Sequence, residues 1–137
     1  MEPSKIVVVD DDPDIIKTIC FSLRQEGYVV ISARNGWEAL GAVRANEPDL
    51  VILDVVLPEE NGYRVSGFIK SDVKKGVYSK NIIIMLLTGR VVNDPEELRM
   101  LIEFSQADLM LYKPFDMQKL ISKVQELLAR EKDGTHG

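Results

Sequence analysis

Carboxylates dominate the residues of this chain that could do chemistry. Asp10, Asp11 and Asp12 stand consecutively, Asp54 follows the apolar run Leu50-Val51-Ile52-Leu53, Thr88 sits in Leu87-Thr88-Gly89, and Lys113 precedes Pro114. Carboxylates drawn into one crevice repel, and each raises the pKa of its neighbours unless a cation intervenes. Mg²⁺ meets that need, because it is a hard cation that prefers oxygen, keeps several waters, and commonly sits between one or two carboxylates and a phosphate. An aspartate oxygen is also a competent nucleophile toward phosphorus. The transferring phosphoryl group carries its charge on equatorial oxygens, so such a site needs positioned cations and donors more than proton-transfer groups. Lys113, the Thr88 hydroxyl and loop backbone N–H groups are of that kind. Taken singly, each residue has a plainer reading: Asp10 to Asp12 as a helix cap with a solvated charge run, Asp54 and Thr88 as turn residues. Their joint placement favours the chemical reading.

The remaining composition narrows the field. His136 and Cys20 are the single histidine and the single cysteine, so histidine-based triads, cysteine zinc sites and an intramolecular disulfide have little to be built from. A net charge of −5 with a pI near 4.9 argues against the clustered Lys and Arg that nucleic acid requires, and direct nucleic-acid binding by this segment is not expected. The longest apolar runs, Ile6 to Val9 and Ile82 to Leu87, fall far short of the roughly 20 residues of a membrane span. Met1 to Lys5 shows no signal-peptide pattern. A soluble, cytoplasmic protein is expected. The basic group Lys70, Lys74, Lys75 and Lys80 reads as a solvated loop. Trp37 and Cys20 read as structural residues, and Tyr112 as a surface residue of the last strand.

These residues must be held by something, and the chain alternates short apolar runs with helix-start signals, the pattern of an α/β domain. The runs are Ile6 to Val9, Tyr28 to Ile31, Leu50 to Leu53, Ile82 to Leu87 and, weakest, Leu109 to Tyr112. Uniformly apolar runs suit strands covered on both faces by helices. Between them, Asp12-Pro13 opens a helix with the stripe Ile15, Ile16, Ile19 and Leu23, closed by Gly27. Asn35 caps a helix with Ala39, Leu40 and Val43, with Glu38 in capping-box position. Asn61-Gly62 leads into a helix presenting Val65, Phe68 and Ile69. Lys70 to Lys80 reads as a long exposed connection. Asp94-Pro95-Glu96-Glu97 starts a helix with Leu98, Leu101 and Ile102 inward. Asp116 starts a last helix with Leu120, Val124, Leu127 and Leu128 on its core face. The expected fold is a single flavodoxin-like, doubly wound (βα)5 domain with a five-stranded parallel sheet, its strand order taken as 2-1-3-4-5. It is expected over residues 1–129, with 130–137 a charged, disordered tail or the start of a linker. Functional groups in such sheets gather at the carboxyl ends of the strands, which is where Asp10 to Asp12, Asp54, Thr88 and Lys113 fall.

Four pieces in this order, Val8-Val9-Asp10-Asp11, Leu53-Asp54-Val55-Val56-Leu57-Pro58 through Asn61-Gly62, Leu87-Thr88-Gly89 and Lys113-Pro114-Phe115, resemble the response-regulator receiver domains of two-component signalling. The resemblance spans nearly the whole domain. It implies that Asp54 is the phosphoacceptor, that Asp11 and Asp54 bind Mg²⁺ directly, that Asp10 acts largely through water, and that Val56 offers only its backbone carbonyl. It further implies that Lys113 bridges to a phosphate oxygen, that the Lys113–Pro114 bond is cis, and that Thr88 moves toward an arriving phosphoryl group. The implied donor is a phosphohistidine on a sensor histidine kinase or phosphotransfer protein, or a small phosphodonor. The implied readers are an effector domain or output protein, or a second copy in a homodimer, acting on the face of strand 4, helix 4, strand 5 and helix 5. Such a domain is a phosphoacceptor and not a turnover enzyme. This chain departs from the family pattern at Met110, where many relatives carry Tyr or Phe as a switch residue, at Gln106, where Gly is usual, and at Leu57, where Met is common. The connections from Asp54 to Thr88 and from Thr88 to Lys113 are a few residues longer than typical.

Three other functions use parts of the same residue set. A Mg²⁺-dependent phosphohydrolase with an Asp nucleophile usually needs a second Asp two residues later, where Val56 stands. A flavodoxin-like FMN carrier needs a loop that cradles phosphate, and the acidic loop after the first strand would repel it. A docking module that keeps the fold without phosphorylation remains open, with Met110 as its support.

Overall fold

The computed structural model describes residues 2–132. Its elements in chain order are β1 (Lys5–Val9), α1 (Pro13–Gln25), β2 (Val29–Ala33), α2 (Gly36–Asn46), β3 (Leu50–Asp54), β4 (Val56–Leu57), β5 (Glu60–Asn61), α3 (Gly62–Lys74), β6 (Ile83–Thr88), α4 (Pro95–Ser105), β7 (Leu109–Tyr112) and α5 (Met117–Lys132). Five strands form one parallel sheet in the order β2-β1-β3-β6-β7, while β4 and β5 make a separate antiparallel pair. Counting only sheet strands, this is the expected 2-1-3-4-5. The two-residue β4–β5 hairpin was not expected, since so short a ladder leaves no periodic signal.

Alternation along the strands splits the core in two. Ile6, Val8, Leu50, Ile52, Met85 and Leu87 meet α1 and α5 through Ile19, Leu23, Leu120 and Val124. Val7, Val9, Val51, Leu53, Ile84 and Leu86 meet α2 and α3 through Ala39, Val43, Val65 and Ile69. Each such aliphatic side chain contributes about 1.5–3 kcal/mol when fully buried, which fixes the register that brings the strand ends level. Val9 pairs with Leu53, Asp54 with Leu87 and Thr88 with Tyr112.

The helix starts are capped as their sequences predict. Side chains of Asp12, Asn35 and Asp94 accept from the backbone N–H of Asp14 (2.9 Å), Glu38 (2.8 Å) and Glu96 (3.0 Å). The Glu38 carboxylate accepts from the Arg34 N–H at 3.1 Å, one residue beyond the N-cap N–H that a capping box would engage.

Other expectations are corrected. The expected exposed connection from Lys70 to Lys80 holds only for its second half: α3 continues to Lys74, while 75–81 is a mostly exposed turn and loop tied down by buried Tyr78; Lys70 Nζ pairs with Asp108 at 2.8 Å, and Lys80 Nζ pairs with Asp49 at 2.9 Å. Polar residues there occupy the outer face of a helix and anchor its end. Phe68 is 49% exposed, because α3 turns Val65, Ser66 and Ile69 inward instead. On α4, Leu98 and Leu101 are only half-buried, Ile102 is exposed, and Ser105 is the one buried residue. Trp37 is 86% exposed and is not a core residue, whereas Cys20 is buried. The last helix runs past residue 129 to Lys132, so Arg130, Glu131 and Lys132 are helical and not a disordered tail. Residues 133–137, with His136, lie outside the described residues.

Two backbone features follow from close packing. The α3 backbone lies against the end of α4, where a Cβ on Gly67 would come 2.7 Å from the Phe104 carbonyl oxygen. Ser66 Oγ donates to the Ser105 carbonyl at 2.8 Å beside it. The α4 C-cap, Gln106, adopts the left-handed conformation with φ 55°, which is the conformational reason glycine suits that position.

Candidate functional site

Asp10 is the first residue beyond β1 and Asp54 the last of β3, and these strands are neighbours in the sheet. Their side chains therefore meet at one carboxyl edge. Asp10 is 1% and Asp54 5% exposed. Lys113, directly after β7, extends its Nζ to 3.2 Å from Asp10 Oδ2 and 3.2 Å from Asp54 Oδ2. The other carboxylate oxygens accept backbone bonds, Asp10 Oδ1 from the Asp12 N–H at 3.0 Å and Asp54 Oδ1 from the Val56 N–H at 3.2 Å. Asp11 is exposed, and one oxygen each from Asp10, Asp11 and Asp54 all lie within 4.8 Å of one another.

The scaffold explains how these groups stay in place. The Lys113 N–H donates to the Thr88 carbonyl at 2.8 Å, extending the β6–β7 ladder, and the Lys113–Pro114 bond is cis. The Val55 N–H donates to the Leu87 carbonyl at 2.8 Å, so β3 and β6 remain joined just past Asp54. Gly62 then brings α3 down onto the same peptide. A Cβ there would stand 2.3 Å from the Asp54 carbonyl oxygen and 2.6 Å from Val55 Cα, so no side chain fits. Asn61 holds the turn by accepting from the Tyr63 N–H at 2.8 Å.

The electrostatics show an excess of negative charge. Burial pushes the Asp10 pKa up, the Asp12 N–H opposes it, Asp54 pushes it further up, and Lys113 opposes again, with a net upward shift. Burial alone would lower the Lys113 pKa, but Asp10 and Asp54 outweigh it and hold the ammonium above its ordinary value. One lysine thus faces three carboxylates. Such a donor set, all hard oxygens with an exposed member open to water, fits Mg²⁺.

Thr88 is buried, and its hydroxyl is committed on both sides. It donates to the Arg90 carbonyl at 3.2 Å and accepts from the Arg90 N–H at 3.1 Å. Met110 is half-buried on β7 and packs against the core cluster on the α2–α3 side of the sheet. Val56 is largely exposed, and the bond it makes here is through its N–H. A pocket of about 430 Å³ beside the site is lined by Val55, Tyr63, Thr88, Arg90 and Glu97 among others. Arg90 and Glu97 pair across it at 3.3 Å. Sequence reasoning passed over Tyr63, Arg90 and Glu97. Arg90 lies two residues beyond Thr88 in a loop without periodicity, which gave no sign that it would turn back.

Comparison with known proteins gives a consistent result. The family model described as "Response regulator receiver domain" matches residues 6–125. The DNA-binding response regulator MtrA of Mycolicibacterium smegmatis is 35% identical over 129 residues, covering 94% of this chain and 52% of that protein. Response regulator MprA of Mycobacterium sp. (strain KMS) is 34% identical over 128 residues, covering 93% of this chain and 52% of that protein. The chain thus spans about half the length of the curated relatives it matches. Among solved structures, a CheY-like response regulator receiver domain protein from Methanospirillum hungatei superposes with a TM-score of 0.83 at 23% identity, covering 96% of this chain and 98% of that one. A two-component response regulator from Clostridium difficile gives 0.78 at 25% identity, covering 93% and 98%.

Proposed function

The chain belongs to the response-regulator receiver family, and from that premise we propose that it accepts a phosphoryl group on Asp54 from a phosphohistidine of a sensor histidine kinase or phosphotransfer protein. The observation that carries this reading is the single ammonium of Lys113 held 3.2 Å from both Asp10 and Asp54, with Asp11 completing the cluster. Asp10, Asp11 and Asp54 would hold Mg²⁺, with the Val56 carbonyl as a further oxygen. When bound, the ion neutralises charge on the phosphoryl oxygens and orients them.

Asp54 supplies the attacking oxygen. As its bond to phosphorus forms, the phosphorus–nitrogen bond of the phosphohistidine breaks and the electron pair returns to the imidazole. Lys113 neutralises a phosphoryl oxygen, and the backbone groups that hold Asp54 keep its free oxygen turned to the crevice. Thr88 reaches the phosphoryl group by giving up its two bonds to Arg90. Residues 1–129 form the working domain in this reading, and it acts as a phosphoacceptor in the cytoplasm, not as a turnover enzyme. Phosphorylation then shifts the balance between two arrangements of the β6-α4-β7-α5 face. Met100, Ile102 and Phe104 lie exposed on α4 and support contact there with an effector domain, an output protein or a second copy. Half-buried Met110, on β7 within that face, fills the place of an aromatic switch with a flexible apolar chain.

The test is incubation with Mg²⁺ and acetyl phosphate followed by intact-mass measurement. One phosphate is expected on the wild type and none on Asp54→Ala. An unmodified wild type, or an equally modified variant, overturns the reading.

A further inference from the structure

An exposed tryptophan needs a reason. Trp37 opens α2 with 86% of its surface in water, and Phe68 of α3 stands 49% exposed across the same groove. Leu40, Gly41 and Val65 line the groove with them, as do Arg44, Arg64 and Glu60. Neither Arg44 nor Arg64 forms an ion pair among the described residues, although Arg44 lies beside the Tyr78 hydroxyl. Glu60 uses its carboxylate locally, accepting from the Asn61 N–H at 3.0 Å. Glu60 keeps its charge, so two arginines against one carboxylate leave the groove lining positive in a chain of net charge −5.

Gly41 points the same way. It sits in the middle of α2, where glycine weakens a helix relative to alanine, yet a Cβ there would meet nothing within 4 Å. The fold does not require glycine at that position. Its absence of side chain keeps the groove floor open to something outside the domain. Exposed Trp and Arg around a concave apolar strip are the composition of binding hot spots.

We propose that the α2–α3 groove is a docking site for an acidic peptide segment of a partner protein, which inserts an aromatic or large aliphatic side chain between Trp37 and Phe68 and places carboxylates on Arg44 and Arg64. Charge complementarity selects this occupant, because an acidic segment is repelled by the protein's overall charge and attracted where two arginines carry no carboxylate partner among the described residues, the Arg44 guanidinium having only the neutral Tyr78 hydroxyl beside it. The groove contains none of Asp10, Asp11, Asp54, Thr88 or Lys113, and shares only Glu60 and Val65's helix with the pocket beside them.

The experiment selects a displayed library of random short peptides on the full chain and measures the winners by titration. Trp37 is the only tryptophan, so with tryptophan-free peptides its emission reports the groove alone. Enriched peptides are expected to combine Asp or Glu with an aromatic or leucine anchor, to shift Trp37 emission to the blue saturably, and to bind less tightly as salt rises. The double charge reversal Arg44→Glu, Arg64→Glu is expected to weaken them about tenfold or more. Gly41→Leu is expected to weaken them similarly while its thermal midpoint does not fall. Enrichment without acidic residues, or binding unaltered in either variant, overturns the proposal. A blue shift that grows with protein concentration alone, accompanied by dimer in sedimentation, overturns it in favour of a second copy.

Discussion

Replacing Lys113 by methionine keeps most of the unbranched side chain and removes the only cation among the described residues that reaches the carboxylate cluster. The lysine stands 3.2 Å from both Asp10 Oδ2 and Asp54 Oδ2, with 23% of its own side chain exposed. Removing one partner of a buried ion pair costs about 3–5 kcal/mol, because the remaining charge is left uncompensated. Partial exposure of the lysine puts this case near the lower figure, about 3 kcal/mol. For 137 residues, an unfolding entropy of roughly 2.1 cal/mol/K per residue amounts to about 0.29 kcal/mol/K, so the midpoint should fall by about 10 °C. Added Mg²⁺ should stabilise the variant more than the wild type, since the ion replaces a charge that only the variant lacks. Thermal melts with chelator and with Mg²⁺ measure both effects. A metal-free midpoint within a degree or two of wild type, or a gap that Mg²⁺ does not narrow, would refute the electrostatic reading of the site.

The upward shift of the Asp10 pKa has a definite sign: the stability it contributes is fully present below the unfolded value near 3.9 and lost as pH rises through the higher folded value. In metal-free buffer Asp10→Asn should therefore exceed wild type in denaturant midpoint at pH 7, with the advantage disappearing toward pH 4; a variant that is weaker at pH 7 contradicts this. Gly62→Ala places a methyl 2.3 Å from the Asp54 carbonyl oxygen and should cost about 3 kcal/mol or more while slowing phosphorylation by acetyl phosphate, as urea unfolding and phosphorylation kinetics would register. Gln106→Gly relieves a left-handed residue at φ 55° and should add about 1 kcal/mol, raising the melting midpoint by a few degrees.

The sheet and the site were legible for the same reason. Strands buried on both faces leave unbroken apolar runs such as Leu50 to Leu53, and each run ends where a polar residue marks the sheet edge. Caps such as Asp12, Asn35 and Asp94 were legible because the side chain that bonds the free N–H is local in sequence. What escaped depends on distant partners. Lys70 looked like a loop residue because its mate, Asp108, is far along the chain, and Phe68 looked buried because helical spacing does not tell which of two adjacent apolar residues faces the sheet. The Thr88–Arg90 bonds were equally hidden, since a hydroxyl's partner is set by a loop without pattern.

The meeting of Ser66 and Gly67 with the end of α4 has a mechanical consequence. At Gly67 main chain is seated on main chain with a hydroxyl pinning the joint, so at that point nothing soft absorbs sliding. A shove on either rod is felt by the other, so news arriving at the loop before α4 would spread sideways across the molecule as well as toward its far edge.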